Sequence, residues 1–237
     1  MKELKNWDNK TWLSSSTYIT SLNSFLLKKK KLNKNSRILD IGCGRGKIFG
    51  SLSRKLKLNN KPIGVDPVPH KDVDKLIDFR NEDAFNFFKT NQNKFDLIMI
   101  KQTLHFFDKD ERKKLIKICK NNLKKNGVLV IFSLNTLNNE IPCFKLMKHK
   151  LNRGLERDSK MIKSTCKILK DNTIDKFKFK VSITKNKYIK MLKQKYISCL
   201  VSLNKKQLKK GIEEIKKIYP NNIIFKDILI CIKYKHP

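Results

Sequence analysis

Residues 37–46, RILDIGCGRG, carry a carboxylate and three glycines through a strand-like run that ends in a tight turn. Asp40 stands two positions before Gly42, and Gly44 and Gly46 follow at alternate positions. Glycines spaced in this way let the chain turn with left-handed backbone angles and let a ligand lie against bare backbone. A helix entered from such a turn aims its first amides at that ligand. Twenty residues beyond Gly46, the run KPIGVDP ends in Asp66 before Pro67. That is the spacing at which a carboxylate after a second strand accepts both hydroxyls of a ribose. The dinucleotide fingerprint G-x-G-x-x-G is not met, because Lys47 fills the place of its third glycine.

These residues need a strand, a turn and a helix to hold them, and the rest of the chain supplies the matching pattern. Short apolar runs at 37–41, 62–66, 75–79, 95–100 and 128–133 alternate with helical stretches at 48–58, 83–89 and 109–123. In the last stretch Leu115, Ile116, Cys119 and Leu123 recur at helical spacing, and Gly127 marks the re-entry into a strand. Residues 135–157 read as polar and irregular, with Pro142 and Gly154. A helix at 159–169, a strand at 176–183, helices at 187–200 and 205–218, and a strand at 223–234 complete the pattern. The order predicts an α/β fold: a Rossmann-like, doubly wound, mainly parallel seven-stranded sheet with helical cap insertions. Residues 1–36 are read as an N-terminal helical lid, 37–134 as the ligand-binding core, and 135–237 as the remainder of the sheet with its cap helices.

Composition narrows the class. The formal charge is +34, and only seven of the 55 basic residues are arginine. Proteins that grip phosphates draw on arginine for bidentate contacts. Lysine rising together with Asn and Ile is what an AT-rich coding sequence produces, and the lysines are spread over the whole chain. Charge of this kind gives nucleic acid a non-specific attraction, so nucleic acid stays open as a partner. The six cysteines form no C-x-x-C pair, which predicts reduced, packed thiols and no metal site. No run approaches the roughly 18 apolar residues of a membrane helix, and the N-terminus lacks a signal-peptide core. A cytoplasmic protein without a membrane partner is the expectation. Composition says nothing of the oligomeric state.

LDIGCGRG resembles the first motif of the class I S-adenosylmethionine-dependent methyltransferases, and further matches follow in order. Asn81-Glu82-Asp83-Ala84 falls after the third strand. KFDLIMI is similar to the fourth strand, and LKKNGVLVIFS to the turn into the fifth, although Asn126 and Val128 depart from the family pattern. The resemblance covers about residues 36–134. It implies S-adenosyl-L-methionine as cofactor, held by Asp40, Gly42, Cys43, Gly44, Gly46, Asp66, Pro67, Asp83, Ala84 and the backbone of Lys101. A carboxylate suits the ammonium and sulfonium of that cofactor and would repel a pyrophosphate.

The same resemblance places acceptor groups after the fourth strand, in IKQTLHFF. Leu-His-aromatic here is similar to the small-molecule branch of the family, the type 11 and type 25 methyltransferase domains. It implies His105 as general base or acceptor hydrogen bond and Gln102 as a residue facing the acceptor. A histidine packed between Leu104 and Phe106 is the competing reading. The motif D/N-P-P-Y/F of amine methyltransferases is absent, as is the Pro-Cys nucleophile of cytosine methylation. Trp7 and Trp12 in the lid segment, with Tyr18, suit a cover over the site or packing at the sheet edge. Tyr188, Leu192, Tyr196 and Leu200 form a stripe better suited to core than to pocket. The leading expectation is therefore methyl transfer to a small molecule. The alternatives are an RNA or ribonucleoprotein methyltransferase and a non-catalytic cofactor-binding protein.

Overall fold

The computed structural model describes residues 11–237; Trp7 lies outside them. The element order is α1 (Ser16–Lys29), β1 (Ile38–Ile41), α2 (Lys47–Leu56), β2 (Ile63–Val65), β3 (Asp78–Arg80), α3 (Ala84–Thr90), β4 (Phe95–Lys101), α4 (Lys109–Asn121) and β5 (Leu123–Leu134). Then follow α5 (Lys145–Leu169), β6 (Asn172–Thr184), α6 (Lys185–Lys193), α7 (Lys205–Ile218) and β7 (Asn222–Lys235). The seven strands form one sheet in the order β3-β2-β1-β4-β5-β7-β6. Pairings from β3 through β5 are parallel, and β7 runs antiparallel to both its neighbours. The expected doubly wound α/β sheet is therefore present, with one reversed strand near its edge.

The central strands are apolar because both their faces are covered. All four residues of β1 are buried, Asp40 included. In β4 the side chains divide cleanly: Leu97 and Met99 join one apolar cluster, and Ile98 and Ile100 the other. This is the run expected of a parallel strand between two helical layers. The edge strand β6 reads differently. Lys176, Lys178 and Lys180 are exposed, while Phe177 and Val181 between and beyond them are buried. Lysine at alternate positions of an edge strand keeps its open hydrogen-bonding groups from pairing with another chain. Part of the lysine excess is thus ordinary solvated surface.

Helix ends are set locally. Asp108 and Glu111 form a reciprocal capping box on α4, and Asn204 and Gln207 do the same for α7. The third strand starts later than the expected 75–79, because Asp74 folds residues 74–77 into a turn. Its carboxylate accepts from the Leu76 amide at 3.1 Å, and its carbonyl accepts from the Ile77 amide at 3.0 Å.

Two expectations in the second half are corrected. Residues 145–169 form a single helix of 25 residues, where the sequence reading placed an irregular stretch to 157 and a helix only from 159. Its first half contributes Met147, Leu151 and Leu155 to one apolar cluster, and its second half contributes Met161, Ile162 and Leu169 to the other. The helix expected at 187–200 ends at Lys193, and Lys195 turns the chain with φ +52°. All four members of the Tyr188–Leu200 stripe are nevertheless buried. The hydroxyls of Tyr188 and Tyr196 lie 3.0 Å apart across the turn.

The sheet order reverses at β1, whose neighbours are β2 on one side and β4 on the other. In open α/β sheets the crevice beyond the C-terminal ends of the strands at this point takes the ligand. Asp40 is the penultimate residue of β1, and the glycine turn follows directly. No helix among the described residues is long and apolar enough to cross a membrane.

Candidate active site

One cavity of about 950 Å³ opens over the switch point. It is lined at one end by Asp40, Gly42, Cys43, Gly44, Asp66, Pro67, Asp83 and Ala84, and Lys101, Gln102 and His105 also line it. Among the sequence-derived site residues only Gly46 lies off the wall.

The three glycines do different work. All take positive φ: +72° at Gly42, +54° at Gly44 and +67° at Gly46. A Cβ on Gly42 would strike Thr103 Oγ1 at 2.1 Å, and one on Gly46 would strike Ile77 Cγ1 at 2.8 Å. These two are glycine because protein already occupies the space. At Gly44 a Cβ would meet nothing within 4 Å, so it would project into open cavity. The turn is bare at Gly44 on the side a ligand would occupy. Gly46 then caps α2 without a side-chain partner for its first amides.

Asp66 organises the turn from the next strand. Its Oδ2 accepts from the Gly44 amide at 2.8 Å, and its Oδ1 accepts from the Val68 amide at 2.9 Å. His70 Nε2 lies 3.7 Å from Oδ1. Two amide donors leave a carboxylate with acceptor sites to spare, so it can still take a pair of hydroxyls. Asp83 is more fully used: Oδ1 caps α3 through the amides of Phe85 and Asn86, and Oδ2 accepts from the Asn86 side chain at 2.6 Å.

Asp40 is 3% exposed, and its Oδ1 has no hydrogen-bond partner among the described residues. Burial raises its carboxyl to about pH 7, with the Asp66 charge adding to the rise and Lys101 opposing it. A buried acceptor without a donor costs free energy unless a ligand supplies one. An ammonium in the cavity would do so.

Beyond β4, Gln102 holds a left-handed φ of +52°, unusual for a residue with a side chain, and its Oε1 accepts from Lys101 Nζ at 3.3 Å. His105 packs against Phe106 with ring centroids 4.2 Å apart, and burial and the Arg157 charge lower its imidazole to about 4. It is therefore neutral across the physiological range. Phe106 is 46% exposed, an uncovered aromatic on the cavity wall.

Asp227 on β7, 2% exposed, also lines the cavity. Its Oδ2 accepts from Trp12 Nε1 at 2.8 Å. Burial raises this carboxyl, while the Trp12 bond and the Lys101 charge oppose the rise. The Trp12 ring meets Tyr196 and Phe225 edge-on at 5.4 and 5.1 Å.

Comparison with known proteins agrees with this geometry. A family model described as a methyltransferase domain matches residues 38–127. Carboxy-S-adenosyl-L-methionine synthase of Helicobacter pylori (strain HPAG1) is 30% identical over 108 residues, 44% of this chain and 45% of that protein. The chain thus spans about half the length of the curated relatives it matches. Among solved structures, a putative methyltransferase of an antibiotic biosynthesis pathway from Anabaena variabilis superposes with a TM-score of 0.61 at 15% identity, covering 90% of this chain and 96% of that one. The plantazolicin methyltransferase BpumL, solved with a monoazolic desmethylPZN analog and SAH, gives 0.56 at 16% identity, over 98% and 88% of the two chains. These likenesses establish the fold, and the family model assigns the domain.

Over residues 38–127 the chain is similar to methyltransferase domains.

The matched stretch supplies the glycine-turn end of the cavity, but several of the walls come from later in the chain. Asp227 was not among the sequence-derived candidates. The signal was available: along β7, Ile223, Phe225, Asp227 and Leu229 alternate onto the buried face, and an acid at an inward position of a strand is unusual. Lys150, Arg153, Gly154 and Arg157 of α5 also line the cavity. They were hidden because that stretch read as irregular.

Proposed function

We propose that this chain binds S-adenosyl-L-methionine in the switch-point crevice and methylates a small molecule held beside it. The observation that carries the reading is the unpartnered, buried Oδ1 of Asp40, one strand away from an Asp66 carboxylate that still has acceptor capacity. When bound, the cofactor supplies a methyl group on sulfonium, transferred by in-line displacement.

The chain's own residues then have separate tasks. Asp40 accepts from the ammonium of the amino-acid portion, and Asp66 from the ribose hydroxyls. Gly44 keeps the turn bare so that the ligand can approach the backbone. Asp83 and Ala84 border the adenine. Gln102, fixed by Lys101, and His105 face the acceptor. His105 is neutral and can take a proton or a hydrogen bond from it, although its lowered basicity makes hydrogen bonding the better-matched role. Trp12 and Leu13 cover one wall of the cavity, held there by the Trp12–Asp227 hydrogen bond, while Tyr18 of α1 packs on Phe177 and Phe179 of the edge strand. Water exclusion by such a cover strengthens every electrostatic contact beneath it.

A small acceptor is favoured over RNA by the partly apolar wall of Leu134, Ile141, Leu151, Leu155 and Tyr196. The test is incubation of the full chain with methyl-labelled cofactor and a cell extract separated into small-molecule, RNA and protein fractions. Label in the small-molecule fraction is expected. Label confined to RNA would replace this reading with the nucleic-acid one, and label nowhere would leave a cofactor-binding protein without transfer. Mass spectrometry of the recovered cofactor adds a control, since carboxylated cofactor would assign the activity named for the Helicobacter relatives.

A further inference from the structure

One side of the cavity is walled by the middle of α5, and that wall is cationic on balance, with three basic side chains against the single carboxylate of Asp158. Lys150, Arg153 and Arg157 stand at i, i+3 and i+7, on one face of the helix, and all three line the cavity. Arginine is the informative part. Lysine supplies most of the positive charge of this chain, and only seven arginines occur. Three of those seven (Arg45, Arg153 and Arg157) line this one cavity. A bias toward lysine does not place arginine there; a need for its planar, two-pronged donor set does.

The two arginines of α5 are also uncommitted. Neither makes a hydrogen bond or an ion pair with any described residue. Arg157 has the half-buried Asp158 as its charged neighbour, with Arg112 acting on the same carboxylate, and it faces the neutral His105. Lys150 donates to Ser202 Oγ at 3.0 Å. Both arginines are exposed to solvent while lining the cavity.

Gly154 sits one residue after Arg153, in the interior of the helix, and lines the cavity too. Glycine is the least favourable helix residue after proline. Packing does not demand it here: an added Cβ would meet only Arg157 Nη2, at 3.9 Å. What the missing side chain leaves is space beside the guanidinium. The same cavity carries apolar surfaces, Leu151 and Leu155 on the same helix and Phe106 and Tyr196 from elsewhere on the wall.

We infer that the methyl acceptor is a small organic anion, a carboxylate or a phosphate monoester on an apolar body. Its charged group docks on Arg153 and Arg157 over Gly154, and its body lies against Leu155, Phe106 and Tyr196. This deepens the methyl-transfer reading above and rests on it.

The test titrates the full chain first with S-adenosylhomocysteine, then the saturated protein with 4-hydroxybenzoate, phenyl phosphate and, as a neutral control, 4-hydroxybenzamide. Binding of at least one anion and not of the amide is expected, and the preferred anion separates carboxylate from phosphate. Arg153→Gln with Arg157→Gln should weaken that anion about tenfold or more, as loss of charge-assisted hydrogen bonds does. Affinity for S-adenosylhomocysteine should not change. Lys163→Gln, exposed on the same helix and away from the cavity, should change neither. Gly154→Ala should raise the melting temperature yet weaken anion binding. Three results would overturn the inference: equal binding of the amide, full anion affinity in the double variant, or no binding of either anion. Binding of an oligouridylate through the same two arginines, in place of the small anions, would also overturn it. Failure of S-adenosylhomocysteine to bind the wild type would instead strike the cofactor reading, in a separate titration.

Discussion

Asp40 gives the sharpest test of the cofactor end, because its charge state and its role are tied together. In the ligand-free fold burial holds its carboxyl at about pH 7, so roughly nine in ten molecules carry the charge at pH 8 and one in ten at pH 6. If only the ionised form accepts an ammonium, affinity for S-adenosylhomocysteine falls about tenfold from pH 8 to pH 6, or about 1.4 kcal/mol. The sign for folding is opposite. A carboxyl whose folded pKa is raised favours the fold most in acid, and that contribution is lost as pH rises from its unfolded value of 3.8 through about 7. The ligand should therefore raise the melting temperature more at pH 8 than at pH 6. Asp40→Asn keeps the shape, removes the charge and should bind weakly with little pH dependence over this range. Calorimetry in buffers of different ionisation enthalpy adds an independent readout, since binding at pH 7 should release about half a proton per ligand. Equal affinity at pH 8 and pH 6, or an Asn variant that matches wild type at pH 8, would refute the assignment.

Further outcomes follow from the same geometry. Asp66→Ala should weaken the cofactor by roughly 1–3 kcal/mol, the loss of a charged acceptor, and unchanged affinity in calorimetry would remove the ribose role. Gly42→Ala and Gly44→Ala should both lose melting temperature, because both glycines hold positive φ, but the first should lose more because its Cβ also meets Thr103, while the second should in addition lose cofactor affinity. Trp12→Phe strips Asp227 of its indole donor and should cost about 1–3 kcal/mol in chemical denaturation, more than the ring's small change in volume would suggest. His105→Ala should keep cofactor affinity and lower turnover, and full turnover would make His105 a packing residue. Because His105 is held near 4, no loss of rate between pH 8 and pH 6 should trace to its protonation.

The glycine-turn end of the cavity was legible because its constraints are local. A strand, a glycine turn and an acid at the end of the next strand all lie within residues 37–66, and the glycines are set by positive backbone angles. The parallel half of the sheet followed from apolar runs that need two covered faces. The acceptor end was not legible, because it is assembled from α5, β7 and the turn at Tyr196, which meet only in space. Pro142 and Gly154 read as breakers. Pro142 in fact lies before the helix, where it does no harm, and Gly154 is tolerated inside it while leaving open space toward the cavity. The Tyr188 stripe shows the reverse case: its burial followed from the spacing, although the chain leaves the helix at Lys193 and brings Tyr196 back by a left-handed turn at Lys195. Asp227 went unread because a single acid in an apolar strand has meaning only once Trp12, more than two hundred residues earlier, is seen to donate to it.

The central claim is that the crevice over β1 binds S-adenosylmethionine, and calorimetric titration of the full chain with S-adenosylhomocysteine, with NAD as the control, tests it most directly. The account predicts saturable one-to-one binding of the first and none of the second, with quenching or shift of tryptophan fluorescence as Trp12 responds at the cavity wall. No binding of S-adenosylhomocysteine at pH 8, where Asp40 is ionised, would contradict it.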